Sequence, residues 1–108
     1  MIKRIVLLKL NHSTEPMAQF SALAEATTRM FKDIPQVFDV QVSRGTAETA
    51  ERSWDVMLEV RFANEDDASA YMRDPVHLAY IEQVLKPVVE FKKAWNFQLA
   101  PGDAAVSG

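Results

Sequence analysis

The sequence predicts a small α+β domain: one four-stranded antiparallel sheet with helices on a single face. Three observations predict it. Apolar residues alternate with polar ones through residues 54–62 and again through 38–44, the period of a half-buried strand. Apolar residues recur at helical spacing from Met17 to Phe31 and from His77 to Val88. The resulting order is strand, helix, strand, strand, helix pair, strand. Two β-α-β units in that order give the ferredoxin-like arrangement.

The elements follow in turn. Residues 2–10 (IKRIVLLKL) form a strand with Ile2, Arg4, Val6, Leu8 and Leu10 on one side. Ile5 and Leu7 lie on the other with Lys3 and Lys9, so both faces ask for cover. Residues 11–14 make a polar loop in which His12 is solvated and Ser13 or Thr14 caps the next helix. That helix spans about 15–32, with Met17, Phe20, Leu23, Ala24, Thr27, Met30 and Phe31 as its core stripe. Ile34 before Pro35 ends it, since the residue before proline avoids helical dihedrals. Strand two follows, with Phe38, Val40 and Val42 inward. Residues 45–53 (GTAETAERS) read as a surface loop.

Strand three has Trp54, Val56, Leu58, Val60 and Phe62 on one face and Asp55, Met57, Glu59 and Arg61 on the other. Asn64 caps a short helix whose first turn, Glu65, Asp66 and Asp67, complements the helix dipole. A second helix starts at Pro75 and is kinked or ended by Pro87, which lacks the donor for the preceding turn. Residues 94–99 form the last strand, with Trp95, Phe97 and Leu99 on one side. Residues 1–100 make one domain, and 101–108 a small-residue, frayed tail.

Composition narrows the function classes. The chain has 108 residues, a net charge of −3 and scattered Lys and Arg, so no basic patch for nucleic acid is expected. Without cysteine there is no disulfide, thiol nucleophile or Cys-type zinc site. His12 and His77 show no metal-ligand spacing. No apolar run is long enough for a signal segment or a membrane span, which predicts a cytosolic protein that does not enter membranes.

The stretch YMRDPVH at 71–77 concentrates what chemistry the sequence offers. Asp74 is a good N-cap and Pro75 fits the first helical position. His77 is then the third residue of the helix, on the same face as Ile81, Val84 and Val88. Tyr71 leans inward from the preceding helix, so the two rings can meet beneath the Asp-Pro corner. Burial and the positive helix N-terminus both favour a neutral imidazole. Tyr71 and His77 also have a plain structural reading, as core filler and local backbone cap.

A sheet with helices on one face leaves the other bare. Ile5, Leu7 and Met57 there predict a homodimer with the two sheets packed face to face.

The chain resembles the stress-responsive A/B barrel (Dabb) family of dimeric α+β barrels. The matching pieces are residues 5–10 (IVLLKL), 34–37 (IPQV), 54–56 (WDV) and, most specifically, Tyr71 through 74–77 (DPVH) to 84–87 (VLKP). The resemblance implies the ferredoxin-like fold, the face-to-face dimer and a pocket in each subunit between sheet and helices. In plant members that act as polyketide cyclases, a Tyr and a His of this segment do acid–base work; carried over, they are Tyr71 and His77. Family members often carry a histidine where this chain has Arg4, and glycine where it has Gln36. Arg4 turns a neutral lining into one that can pair with an anion, or else it snorkels to the rim.

Two functions of different class follow. The first is a dimer that binds a small apolar or phenolic molecule without turnover, in a pocket lined by Arg4, Val6, Leu8, Phe20, Leu23, Trp54, Ile81 and Val84. The second is a cofactor-free enzyme on a carbon acid (cyclase, lyase or isomerase) with His77 as base and Tyr71 steadying the enolate oxygen. A weaker third is a cofactor-free monooxygenase acting on activated phenols. None of them calls for a metal or cofactor. The enzyme reading requires the Tyr71 hydroxyl and the His77 ring to reach one open cavity.

Overall fold

The computed structural model describes residues 1–101; the predicted tail lies almost wholly outside them. The elements are β1 (Ile2–Leu10), α1 (Pro16–Phe31), β2 (Asp39–Arg44), α2 (Ala47–Arg52), β3 (Val56–Phe62), α3 (Glu65–Tyr71), α4 (Pro75–Tyr80) and β4 (Val89–Gln98). A π-helical turn, Ile81–Leu85, extends α4. The sheet order is β2-β3-β1-β4 with every neighbour antiparallel, the ferredoxin-like arrangement. Among the described residues no helix is long and apolar enough to cross a membrane.

The register sorts the side chains. Ile2, Val6, Leu8 and Leu10 of β1 and Val56, Leu58, Val60 and Phe62 of β3 are buried under the helices. Leu23 and Phe31 from α1, Tyr71 from α3, Tyr80 from α4 and Leu85 close the core over them. Thr27 is fully enclosed with them; its hydroxyl donates to the Leu23 carbonyl at 2.7 Å and bonds the Tyr80 hydroxyl at 2.7 Å. Burial pushes the Tyr80 hydroxyl up to about 12, with Thr27 working the other way.

On the opposite face the cations of β1 and β3 are paired across strands. Lys3 meets Glu59 at 3.3 Å, Lys9 meets Asp55 at 3.4 Å, and Arg61 holds Asp39. The Arg61 bond lowers the Asp39 carboxyl below its usual value. Half-buried Ile5, Leu7 and Met57 lie between these pairs. Phe91, Trp95 and Phe97 of β4 share this face by register and are 62%, 46% and 53% exposed.

Four predicted boundaries or placements change. Residues 45–53 are not all loop: Thr46 accepts the Thr49 N–H at 3.3 Å and caps α2, and Glu48 pairs with Arg52 at 3.7 Å. With no buried residue, α2 has no apolar period to detect. The last strand starts at Val89, five residues before the apolar alternation becomes clear. Met17 and Phe38 are exposed rather than core, and the Arg61 guanidinium lies 5.3 Å from the Phe38 ring centroid. Neither Ser13 nor Thr14 is the α1 cap residue; Glu15 holds that position, while Ser13 accepts the Glu15 N–H at 3.0 Å.

Candidate functional site

The Asp-Pro corner builds the site. The Asp74 carboxylate accepts the N–H groups of Val76 at 2.8 Å and His77 at 3.4 Å, satisfying two donors that a helix start leaves open. Pro75 takes the first helical position. The third residue, His77, is thereby turned inward and is 5% exposed. Tyr71, in the last turn of α3, is 2% exposed. The two rings stack with centroids 3.9 Å apart and planes tilted by 30°. Phe62 (4.9 Å) and Phe31 (5.9 Å) hold the Tyr71 ring from its other sides.

The electrostatics are those of a dry site beside cations. Burial, then the charges of Arg4 and Lys92, lower the His77 pKa to about 4; the Tyr71 backbone and Asp74 act weakly in the other direction. The ring is therefore neutral at pH 7. Burial raises the Tyr71 hydroxyl above its ordinary value, with Arg4 opposing and Tyr80 adding to it. The Nδ1 atom of His77 is buried without a well-formed hydrogen bond among the described residues, although the Tyr71 backbone is near enough to act on the ring as an acceptor. An unsatisfied buried polar atom is costly and calls for an explanation.

Arg4 faces the helices from the middle of β1, between buried Ile2 and Val6. Its Nη1 donates to Asn96 Oδ1 at 3.0 Å across the β1–β4 pairing. Beside this pair a cleft of about 300 Å³ runs between α3 and the β4 edge, lined by Ile2, Glu65, Ala68, Ser69, Met72, Asn96, Phe97 and Gln98. Ala68 and Met72 flank Tyr71 in sequence. The Tyr71 and His77 rings do not themselves line it, nor any of four other surface concavities.

The structure brings Tyr71 and His77 into contact, with Arg4 acting on both electrostatically, but not the rest of the predicted lining. Val6, Leu8 and Leu23 are packed in the core. Ile81 and Val84 are half-buried against that core. Phe20 lines a concavity with His12 and Arg44, and Trp54 another with Phe91 and Arg52. Trp54 sits apart because β3 begins only at Val56, and its backbone N–H donates to the carbonyl of Thr49, the third residue of α2. Sequence reasoning missed Asn96 and Lys92. Extending the β4 alternation backwards from Trp95 and Phe97 would have put both on the helical side. Among the described residues no group of three or more His, Asp or Glu could hold a metal ion.

The family description "Stress responsive A/B Barrel Domain" matches residues 2–97. The chain belongs to the Dabb family. It matches no curated protein by sequence. Among solved structures, it is similar to an Arabidopsis thaliana protein at 12% identity and a TM-score of 0.79, covering 93% of this chain and 96% of that one. A dimeric protein of unknown function from Bacteroides fragilis is 24% identical with a TM-score of 0.71, covering 90% and 94%. The hydroxynitrile lyase of Passiflora edulis is 14% identical with a TM-score of 0.70, covering 93% and 94%. At these identities the likeness is one of fold, and the Dabb chain's own site must speak for its chemistry.

Proposed function

We propose that this Dabb protein is a homodimer paired through its bare sheet faces, each subunit binding a small apolar or aromatic molecule on the helical side of the sheet. The observation that carries the ligand reading is the cleft between α3 and β4, where Asn96, bonded to Arg4, meets the side chains of Ile2, Ala68 and Met72. Small-molecule sites set a few polar groups among apolar ones, and here Ser69 and Asn96 line the cleft with Arg4 bonded to Asn96. The dimer reading rests on Phe91, Trp95 and Phe97, too large an apolar row to leave in water, and on the dimeric Bacteroides fragilis relative.

The test is an NMR titration of the ¹⁵N-labelled protein with 2-naphthol. Amide shifts confined to residues 68–77 and 92–98 support the reading. Shifts only around residues 10–20, or none at all, overturn it.

A cofactor-free enzyme is the second reading, favoured by a neutral His beside a Tyr and by relatives that are a hydroxynitrile lyase and a cofactor-independent oxygenase of Streptomyces nogalater. A general base works best with a pKa near the working pH. An imidazole held at about 4 is a weak base at pH 7, and its ring face is occupied by Tyr71. Binding is therefore the stronger reading.

A further inference from the structure

We propose that Arg4 and Lys92 make the site selective for a small aromatic or apolar carboxylate, whose anionic group docks on the helical side of β1 and β4 beside Asn96. This rests on the ligand-binding reading above and names the class of molecule bound.

The first support is unmatched charge. On the bare face, Lys3, Lys9 and Arg61 each have a carboxylate partner, with Lys93 on the edge strand the exception among the described residues. On the helical face neither Arg4 nor Lys92 has one among the described residues. Arg4 meets only the neutral Asn96 carboxamide. Asp74, the acid acting on His77, is committed to the α4 cap. Half-buried guanidinium groups normally have an anion, and a bidentate carboxylate suits their planar fork.

The second support is register. Arg4 is paired with Asn96 and Leu8 with Lys92, so both cations stand on the side occupied by His77. Val6 and Ala94 are paired between them, and Ala94 has no side chain beyond Cβ to fill the space. Both cations act electrostatically on His77 from β1 and β4, Arg4 through its bond to the cleft-lining Asn96 and Lys92 from the neighbouring concavity that it lines with Trp54 and Phe91.

The third support is access. The cleft between α3 and β4 reaches Asn96 and has about 300 Å³, the lower end of the roughly 300–1,000 Å³ range of ligand pockets. That suits a molecule the size of a naphthoate. Glu65 is the acid in its lining and opposes an anion there.

The experiment compares an acid with its neutral isostere. Calorimetric titrations with 2-naphthoate and 2-naphthamide are run on the intact protein and on Arg4→Gln, Arg4→Lys and Lys92→Gln. We expect the acid to bind at least tenfold more tightly than the amide. Arg4→Gln should abolish that preference; Arg4→Lys should retain part of it, and Lys92→Gln should reduce it severalfold. Equal binding of acid and amide, or a preference that survives Arg4→Gln, overturns the carboxylate proposal and leaves the ligand-binding reading standing. Binding of neither compound overturns both. Lys92 is exposed, so if the Arg4 variants fold poorly Lys92→Gln decides the matter alone: an undiminished preference for the acid overturns the proposal.

Discussion

The Tyr71 and His77 rings stack at 3.9 Å under the Asp74–Pro75 corner, an enclosed setting whose burial holds the imidazole neutral. The stack keeps water from the ring, and burial is the largest cause of its lowered pKa. A histidine whose folded pKa is about 4 against an ordinary 6.5 binds fewer protons folded than unfolded between those values. Stability therefore rises with pH in that window. The contribution is complete above pH 6.5, shrinks as the pH falls through the window, and is gone below about 4. The loss is on the order of 2 kcal/mol, less than the full shift implies because solvent and neighbouring charges screen part of it. Urea unfolding of wild type and His77→Gln at pH 7.0 and 4.5 checks it. The wild type should lose more stability on acidification than the variant; parallel losses would sink the idea.

The corner itself is testable. Asp74→Ala removes the acceptor for two N–H groups at the start of α4. The expected cost is about 1 kcal/mol. Because the cap aims His77, its ring resonances should also shift toward those of an exposed histidine. Asp74→Asn keeps an acceptor oxygen and should recover most of the loss in thermal melts.

The paired hydroxyls of Thr27 and Tyr80 predict an asymmetry. In Tyr80→Phe, the Thr27 hydroxyl still donates to the Leu23 carbonyl, so one ordinary bond is lost, about 1 kcal/mol. In Thr27→Val, the Tyr80 hydroxyl is left enclosed with nothing to bond, which costs roughly 1–3 kcal/mol. The double variant should be no less stable than Thr27→Val alone. Denaturant midpoints for the three proteins decide it.

These contacts also mark what the sequence could and could not disclose. The Asp-Pro corner was legible because an N-cap residue and a proline act through their own backbone, so His77 could be placed by counting. The strand of residues 56–62 was legible because both of its faces follow a period of two. The α2 turn was not, since Thr46 and the Glu48–Arg52 pair hold it without an apolar stripe. Nor was the Thr27–Tyr80 bond, which joins residues 53 apart in sequence. Exposure failed at Met17 and Phe38 for a related reason: spacing gives a residue its face, whereas burial depends on what the rest of the fold lays over it. Trp54 falls outside the predicted pocket because apolar alternation runs two residues past the start of pairing.

The bare sheet face gives the last prediction. Phe91, Trp95 and Phe97 lie in one row on β4, beside Ile5 and Leu7 of β1, while the polar half of the face on β3 and β2 carries cross-strand ion pairs. Tyr and Trp anchors near the middle of an interface commonly contribute about 2 kcal/mol or more. Trp95 is cross-strand partner to Ile5, away from both ends of its strand, so it is the anchor to remove. Trp95→Glu sets a carboxylate into that apolar row and, by the two-fold symmetry of a homodimer, a second one from the partner. The dimer dissociation constant should rise at least about thirtyfold. Sedimentation velocity at a few concentrations would report it as a shift to the monomer with an unchanged circular dichroism spectrum. A wild type that already sediments as a monomer would remove the dimer from the proposal while leaving the Arg4 site, on the other side of the sheet, to be judged by its own titration.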